Sequence, residues 1–163
     1  MATIHGVCLR WGVNANRCVV VNVYSPYQLV DKRRLWEEII MSKRGFGSCL
    51  WCIVGDFNTV RRQDERKRVI GEYGARDMEE FNLFIRDMEL IDIPLVGKRF
   101  TWFKSDDSMM SRLDRVLVSE SWSAQWGVGY VEVHTYHNIF LWLDPSRVTL
   151  SVNFHVIYFY YHK

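Results

Sequence analysis

The sequence predicts an α/β or α+β layered fold, on three observations. Apolar, β-branched runs (Cys18 to Tyr24, Cys49 to Val54) alternate with two amphipathic helical stretches (Asp31 to Arg44, Arg76 to Leu90). The runs end in short polar segments, the place where layered folds carry their active residues. At 163 residues, 48% hydrophobic and 15% aromatic, the chain has material for one ordinary core and lacks the composition of a disordered segment.

Val7 to Trp11 and Cys18 to Tyr24 flank a Gly-Val-Asn-Ala-Asn-Arg stretch and read as a hairpin. The second of them is almost continuously apolar, which suits an interior strand covered on both faces. Ser25-Pro26 ends it. Asp31 to Arg44 follows as a helix with Leu35, Trp36, Ile39 and Ile40 on one face, Asp31 as its cap, and Lys43, Arg44 and Gly45 as its end. Strand Cys49 to Val54 leads into Gly55-Asp56-Phe57-Asn58, and a polar loop runs from Thr59 to Gly74. Arg76 to Leu90 places Met78, Phe81, Phe84, Ile85 and Met88 on an inner face. Gly97 to Phe103 and Arg112 to Val118 pair as a hairpin around Lys104 to Ser111, and Ser119 caps a short helix to Trp126. These elements assign residues 1–126 to one domain and 127–163 to a divergent aromatic-rich tail. The tail holds four of the five histidines, and Val148 to Tyr161, too short and too interrupted for a membrane span, reads either as a strand pair or as an unevolved tail.

The formal charge of +2 says little about partners. Locally, Arg61, Arg62, Arg66, Lys67 and Arg68 crowd around Asp64 and Glu65, a run that either meets a phosphate backbone or is a solvated loop. Cys49 and Cys52 form a CxxC inside a strand, where positions i and i+3 face opposite ways, so Cys8, Cys18, Cys49 and Cys52 read as free structural thiols in a reducing, intracellular compartment, nucleus or cytoplasm. Met1 to Arg10 lacks the long apolar core expected of a signal peptide.

Three motifs fall at strand ends in order: Asn22-Val23-Tyr24-Ser25-Pro26, Gly55-Asp56-Phe57-Asn58 and Arg112-Leu113-Asp114-Arg115, with Phe100-Thr101-Trp102 between the last two. Singly they read as a strand stop, a turn and an alternating exposed strand. Together they form a pattern: a carboxylate to accept a proton from water or hold a cation, a carboxamide to orient a phosphate or that carboxylate, and a second carboxylate.

On these motifs the chain resembles the endonuclease/exonuclease/phosphatase family. Through Lys32-Arg33-Arg34-Leu35-Trp36-Glu37-Glu38 and Met88 to Val118 it is most similar to the endonuclease domain of plant long-interspersed-element retrotransposons. The resemblance covers roughly residues 7 to 126. It implies a truncated two-sheet β-sandwich flanked by helices and Mg²⁺-dependent hydrolysis of nucleic-acid phosphodiesters, DNA by similarity. It also implies roles. Asp56 activates water, Asn58 holds the phosphate and the aspartate, Tyr24 contacts the scissile phosphate, and Asp114 orients a catalytic histidine. Asn22, Thr101, Trp102 and Arg112 face the nucleic acid.

The same comparison exposes departures. The family's metal-binding glutamate belongs to an N-terminal half that the chain, starting just before the NVYSP strand, does not carry, so no metal ligand is assigned. Its terminal Ser-Asp-His motif is not found, and Thr135-Tyr136-His137 is the nearest stand-in. Three readings follow: a phosphodiesterase, a non-catalytic retroelement remnant with at most nucleic-acid affinity, and an interaction module that pairs through an exposed sheet with a partner or with itself.

Overall fold

The computed structural model of the chain describes residues 3–12, 14–67, 74–97, 99–104, 108–127, 130–135, 138–143, 148–153 and 156–160. Strands β1 (Thr3–Trp11) and β2 (Asn16–Tyr24) form the expected antiparallel hairpin, in register from Thr3 beside Tyr24 to Trp11 beside Asn16. Gly12 reverses the chain at φ 75°, and the Ala15 N–H bonds back to the Gly12 carbonyl at 2.9 Å. Helix α1 (Leu29–Phe46) crosses over, and β3 (Leu50–Asp56) then lies parallel to β2. The helix starts earlier than the sequence suggests. Gln28 is its N-cap without a side-chain bond, Asp31 lies in the first turn, and Gly47 rather than Gly45 closes the end.

After β3 come a 3₁₀ turn (Gln63–Glu65), β4 (Arg66–Lys67), α2 (Ala75–Asp87), β5 (Leu90–Asp92) and β6 (Leu95–Val96). Strands β7 (Trp102–Phe103) and β8 (Met110–Ser111) form a hairpin that joins β4 in a three-stranded ribbon. The strand opened by the Arg-Leu-Asp-Arg motif is not part of that hairpin, contrary to expectation. It is β9 (Asp114–Ser119), and it enters the main sheet antiparallel to β3 and β5. All six of its residues are buried, so Val116-Leu117-Val118 demands cover on both faces, which a small ribbon cannot give. Helix α3 (Glu120–Trp126) follows, and Ser119 caps it by accepting the Trp122 N–H at 3.2 Å.

The main sheet has the order β1-β2-β3-β9-β5. A second five-stranded sheet contains β10 (Tyr130–Thr135), β11 (Asn138–Leu143), β12 (Val148–Asn153) and β13 (Val156–Tyr160), with β10 parallel to β6. The architecture is therefore mixed α+β. Within 148–161 the expected strand pair is β12 with β13.

Both faces of the inner strands β2, β3 and β9 are buried. On one, Val19, Val21, Val23, Trp51, Ile53 and Leu117 pack under Leu35, Trp36 and Ile39 of α1 and Phe81, Phe84 and Ile85 of α2. Trp36 stacks on both phenylalanines at 5.7 Å. On the other, Cys18, Val20, Cys52, Val54, Val116 and Val118 pack with Ile93 and Trp122. Each such side chain contributes about 1.5–3 kcal/mol on burial. Cys49 belongs to the first core and Cys52 to the second, as their spacing predicts, and all four cysteines are free. Among the described residues no helix is long and apolar enough to cross a membrane.

Candidate functional site

Strands β2 and β3 end, and β9 begins, at one edge of the main sheet. Parallel pairing sets Tyr24 beside Asp56, and antiparallel pairing sets Asp56 beside Asp114. Residues far apart in sequence thus form one row across three adjacent strands. The ladder continues past them through Ser25 N–H to the Asp56 carbonyl (2.8 Å) and Phe57 N–H to the Leu113 carbonyl (3.0 Å).

The row ends in a shaped turn. Gly55 has φ 132° and lies against the Val23 carbonyl. Asn58 adopts a left-handed φ of 48°, which asparagine tolerates. Its N–H donates to Asp56 Oδ1 at 2.8 Å, and its Nδ2 donates to the Ser25 carbonyl at 2.6 Å. Its carbonyl accepts from Lys32 Nζ at 2.8 Å, and Lys32 also pairs with Asp77 of α2 at 2.8 Å.

Burial pushes the Asp114 carboxyl up to about 7, and the neighbouring Asp56 charge adds to the rise. Asp114 Oδ1 is buried without a hydrogen-bond partner. The Thr101 hydroxyl accepts the N–H groups of both Leu113 and Asp114 at 3.0 Å, which ties the loop before β7 to the start of β9. Burial also raises Asp56, against the Asn58 N–H and the Lys32 charge, which pull it down. Tyr24 is 40% exposed. Its phenol is raised first by the hydrogen bond with Tyr27, so it stays a neutral donor.

Asn22 is half-buried on β2, two residues before Tyr24, and exposed Trp102 follows Thr101 on β7. Arg112 lies elsewhere. Its Nη2 donates to Asp92 Oδ1 at 2.9 Å and to the Ile93 carbonyl at 3.0 Å, and its Nη1 is 3.6 Å from Glu65. Fully buried Arg115 joins the same network, bonded to Glu65 and, at 2.6 Å, to Asp92 Oδ2. Arg61, from the basic run, is drawn in as well, at 3.2 Å from Asp92. Arg62 pairs with Asp64 at 3.2 Å. The near end of the basic run therefore serves internal ion pairs.

This network sets a stability expectation. Arg115→Met should cost about 3 kcal/mol at pH 7, because two buried carboxylates lose their best-buried partner while Arg61 and Arg112 remain. Burial alone would raise the Glu65 carboxyl, but the hydrogen bond and charge of Arg115 hold it below the usual range. A lowered carboxyl stabilises above its ordinary titration range and loses that contribution as pH falls through the lowered value. Urea melts should thus show the Arg115→Met deficit shrinking below about pH 4. An equal deficit at pH 3 and pH 7 argues for lost packing alone.

Asp56 and Asp114 are the carboxylates of the row. Among the described residues no three His, Cys, Asp or Glu side chains are grouped to hold a metal ion, so Asp56 and Asp114 do not by themselves fit a metal centre. His137 and Arg68 lie outside the described residues. Lys32 was not singled out from the sequence for the site, although its position three and four residues before Leu35 and Trp36 puts it on the inner helix face. Nothing in the sequence signals that Asp77 is its partner.

No protein-family model and no curated protein matches the chain. Among solved structures, its fold is similar to that of beta toxin from Staphylococcus aureus, with a TM-score of 0.55 and 12% identity over 96% of this chain and 52% of the toxin. The chain thus spans about half the length of that structure. An endonuclease/exonuclease/phosphatase family protein from Bacteroides thetaiotaomicron aligns with a TM-score of 0.45 and 13% identity, over 78% of this chain and 43% of that one. The likeness to the toxin is one of fold.

Proposed function

We propose that Tyr24, Asp56, Asn58 and Asp114 are part of a phosphodiester-hydrolase site of the endonuclease/exonuclease/phosphatase kind, which engages a nucleic-acid backbone, and that this chain alone does not turn it over. The observation that carries the proposal is the single row of Tyr24, Asp56 and Asp114 across β2, β3 and β9, with Asn58 bonded to its central carboxylate. A carboxylate raised by burial is a better base toward water, and a neutral phenol can donate to a non-bridging phosphate oxygen. A phosphodiester also needs its developing charge neutralised, which for this family is the work of Mg²⁺. Lacking one general acid or base costs 10²–10⁴-fold, which supports binding without turnover.

The test is nicking of supercoiled plasmid with Mg²⁺, beside amide-shift mapping with a short DNA duplex. Shifts at Tyr24 and Asn58 are expected, with nicking equal to that of Asp56→Ala. Nicking that Asp56→Ala abolishes overturns the no-turnover clause. A duplex that leaves Tyr24 and Asn58 unshifted removes the site assignment itself.

A second reading rests on the sheet order. Strand β1 is an edge, pairs only with β2 among the described residues, and exposes Ile4 and Val7. An open, largely apolar edge templates another strand, and the proposed occupant is β1 of a second copy. Sedimentation should detect concentration-dependent dimers, with Val7→Lys shifting them to monomer. Dimers untouched by Val7→Lys, or none in the parent, would remove this edge from consideration.

A further inference from the structure

We infer that Lys32, a residue of α1 outside the strand-end row, is a positioning residue for Asp56, its ammonium clamping the turn that holds the Asp56 carboxylate. The meaning of this role rests on the proposed function, but its geometry does not.

Lys32 is 1% exposed, and a lysine so buried persists only with partners. Its bond to Asp77 ties α1 to α2. That task alone does not require a buried ammonium, because Arg33 and Glu80 already join the same helices at a half-exposed position. What distinguishes Lys32 is its second bond, to the Asn58 carbonyl. A buried carbonyl in a left-handed turn needs a donor, and the helix supplies a charged one.

From there the bonds run in sequence. Lys32 holds the Asn58 carbonyl, the Asn58 N–H holds Asp56 Oδ1, and Asn58 Nδ2 holds the Ser25 carbonyl next to Tyr24. Removing the first bond frees a turn whose backbone otherwise favours relaxation out of φ 48°. The ammonium also acts through space. Asp56 faces Asp114 across the strands and Tyr24 on its other side, and Lys32 is the cation that favours its ionised form.

The experiment follows the Asp56 carboxyl by carbon NMR through a pH titration, together with exchange of the Asn58 amide, in wild type and Lys32→Met. The variant should titrate Asp56 at higher pH and exchange the Asn58 N–H about tenfold faster or more, relative to the α1 amides. If Lys32→Met does not fold, Lys32→Gln takes its place: the amide offers the Asn58 carbonyl an uncharged donor, and with the ammonium gone Asp56 should titrate higher. An Asp56 titration unmoved in a folded Lys32→Met, or in Lys32→Gln where that variant replaces it, overturns the inference. Neither readout involves nucleic acid, so failure of the phosphodiester reading leaves it intact, and its failure leaves that reading intact.

Discussion

Gly55→Ala is expected to leave little folded protein. A Cβ at this position would sit 2.0 Å from the Val23 carbonyl oxygen and 2.9 Å from its carbon. Both are backbone atoms of an interior strand, held between neighbours, so no side-chain rotation relieves the clash. The φ of 132° adds a conformation that residues with a Cβ rarely adopt. We expect a loss of about 4 kcal/mol or more, enough to unfold a domain at the low end of ordinary stability. The damage falls one residue before the Tyr24–Asp56 pair, so the row is lost with the fold. Urea unfolding beside Gly45→Ala makes the comparison fair. Gly45 lies inside α1 with open space around its Cβ position, and alanine there should be neutral or gain up to about 1 kcal/mol. Wild-type stability for Gly55→Ala would mean that β2 and β3 do not approach as described.

The second large effect is electrostatic. The Asp114 carboxyl, ordinarily near 3.8, is pushed up to about 7 by burial and by Asp56. A carboxyl raised in the fold binds its proton more tightly there than in the unfolded chain. Its contribution to stability is therefore greatest below about pH 4 and drains away as pH rises toward 7. Three units correspond to about 4 kcal/mol at most. Asp114→Asn removes the ionisation, so it should leave stability at pH 4 nearly unchanged and raise it at pH 8 toward that limit. Thermal melts across this range decide the matter, and a wild-type profile flat from pH 5 to 8 would contradict the burial of a lone carboxylate.

Much of this arrangement was legible in the sequence, and the reasons differ by element. β2, β3 and the first two helices announce themselves through apolar period, and Ser119 through cap chemistry. The start of α1 was misplaced because Gln28 is no habitual capping residue, whereas Asp31 is. The partner of β9 was misassigned because local spacing favours the nearest hairpin, while burial on both faces draws the strand to β3. Arg61 and Arg112 looked like cations awaiting an anion. Their carboxylates, Glu65 and Asp92, are buried by folding and cannot be recognised as partners from charge pattern. Tyr24, Asp56, Asn58 and Asp114 were legible as strand-end residues, but that Tyr24, Asp56 and Asp114 form one row is a matter of register, which no local signal encodes.

That row has a practical consequence for ligand discovery. It contains no local contact: each neighbour is brought in by long-range strand pairing, so it forms only when the central sheet forms. The amides of Ser25 and Phe57, bonded across it, should exchange with solvent only through opening of the whole sheet. A compound seated on the row therefore binds the folded chain and not the unfolded one, and its affinity is registered in full as a rise in melting temperature. A thermal-shift screen of nucleotides and phosphodiester mimics, scored against Asp56→Ala, would read this site without requiring any turnover.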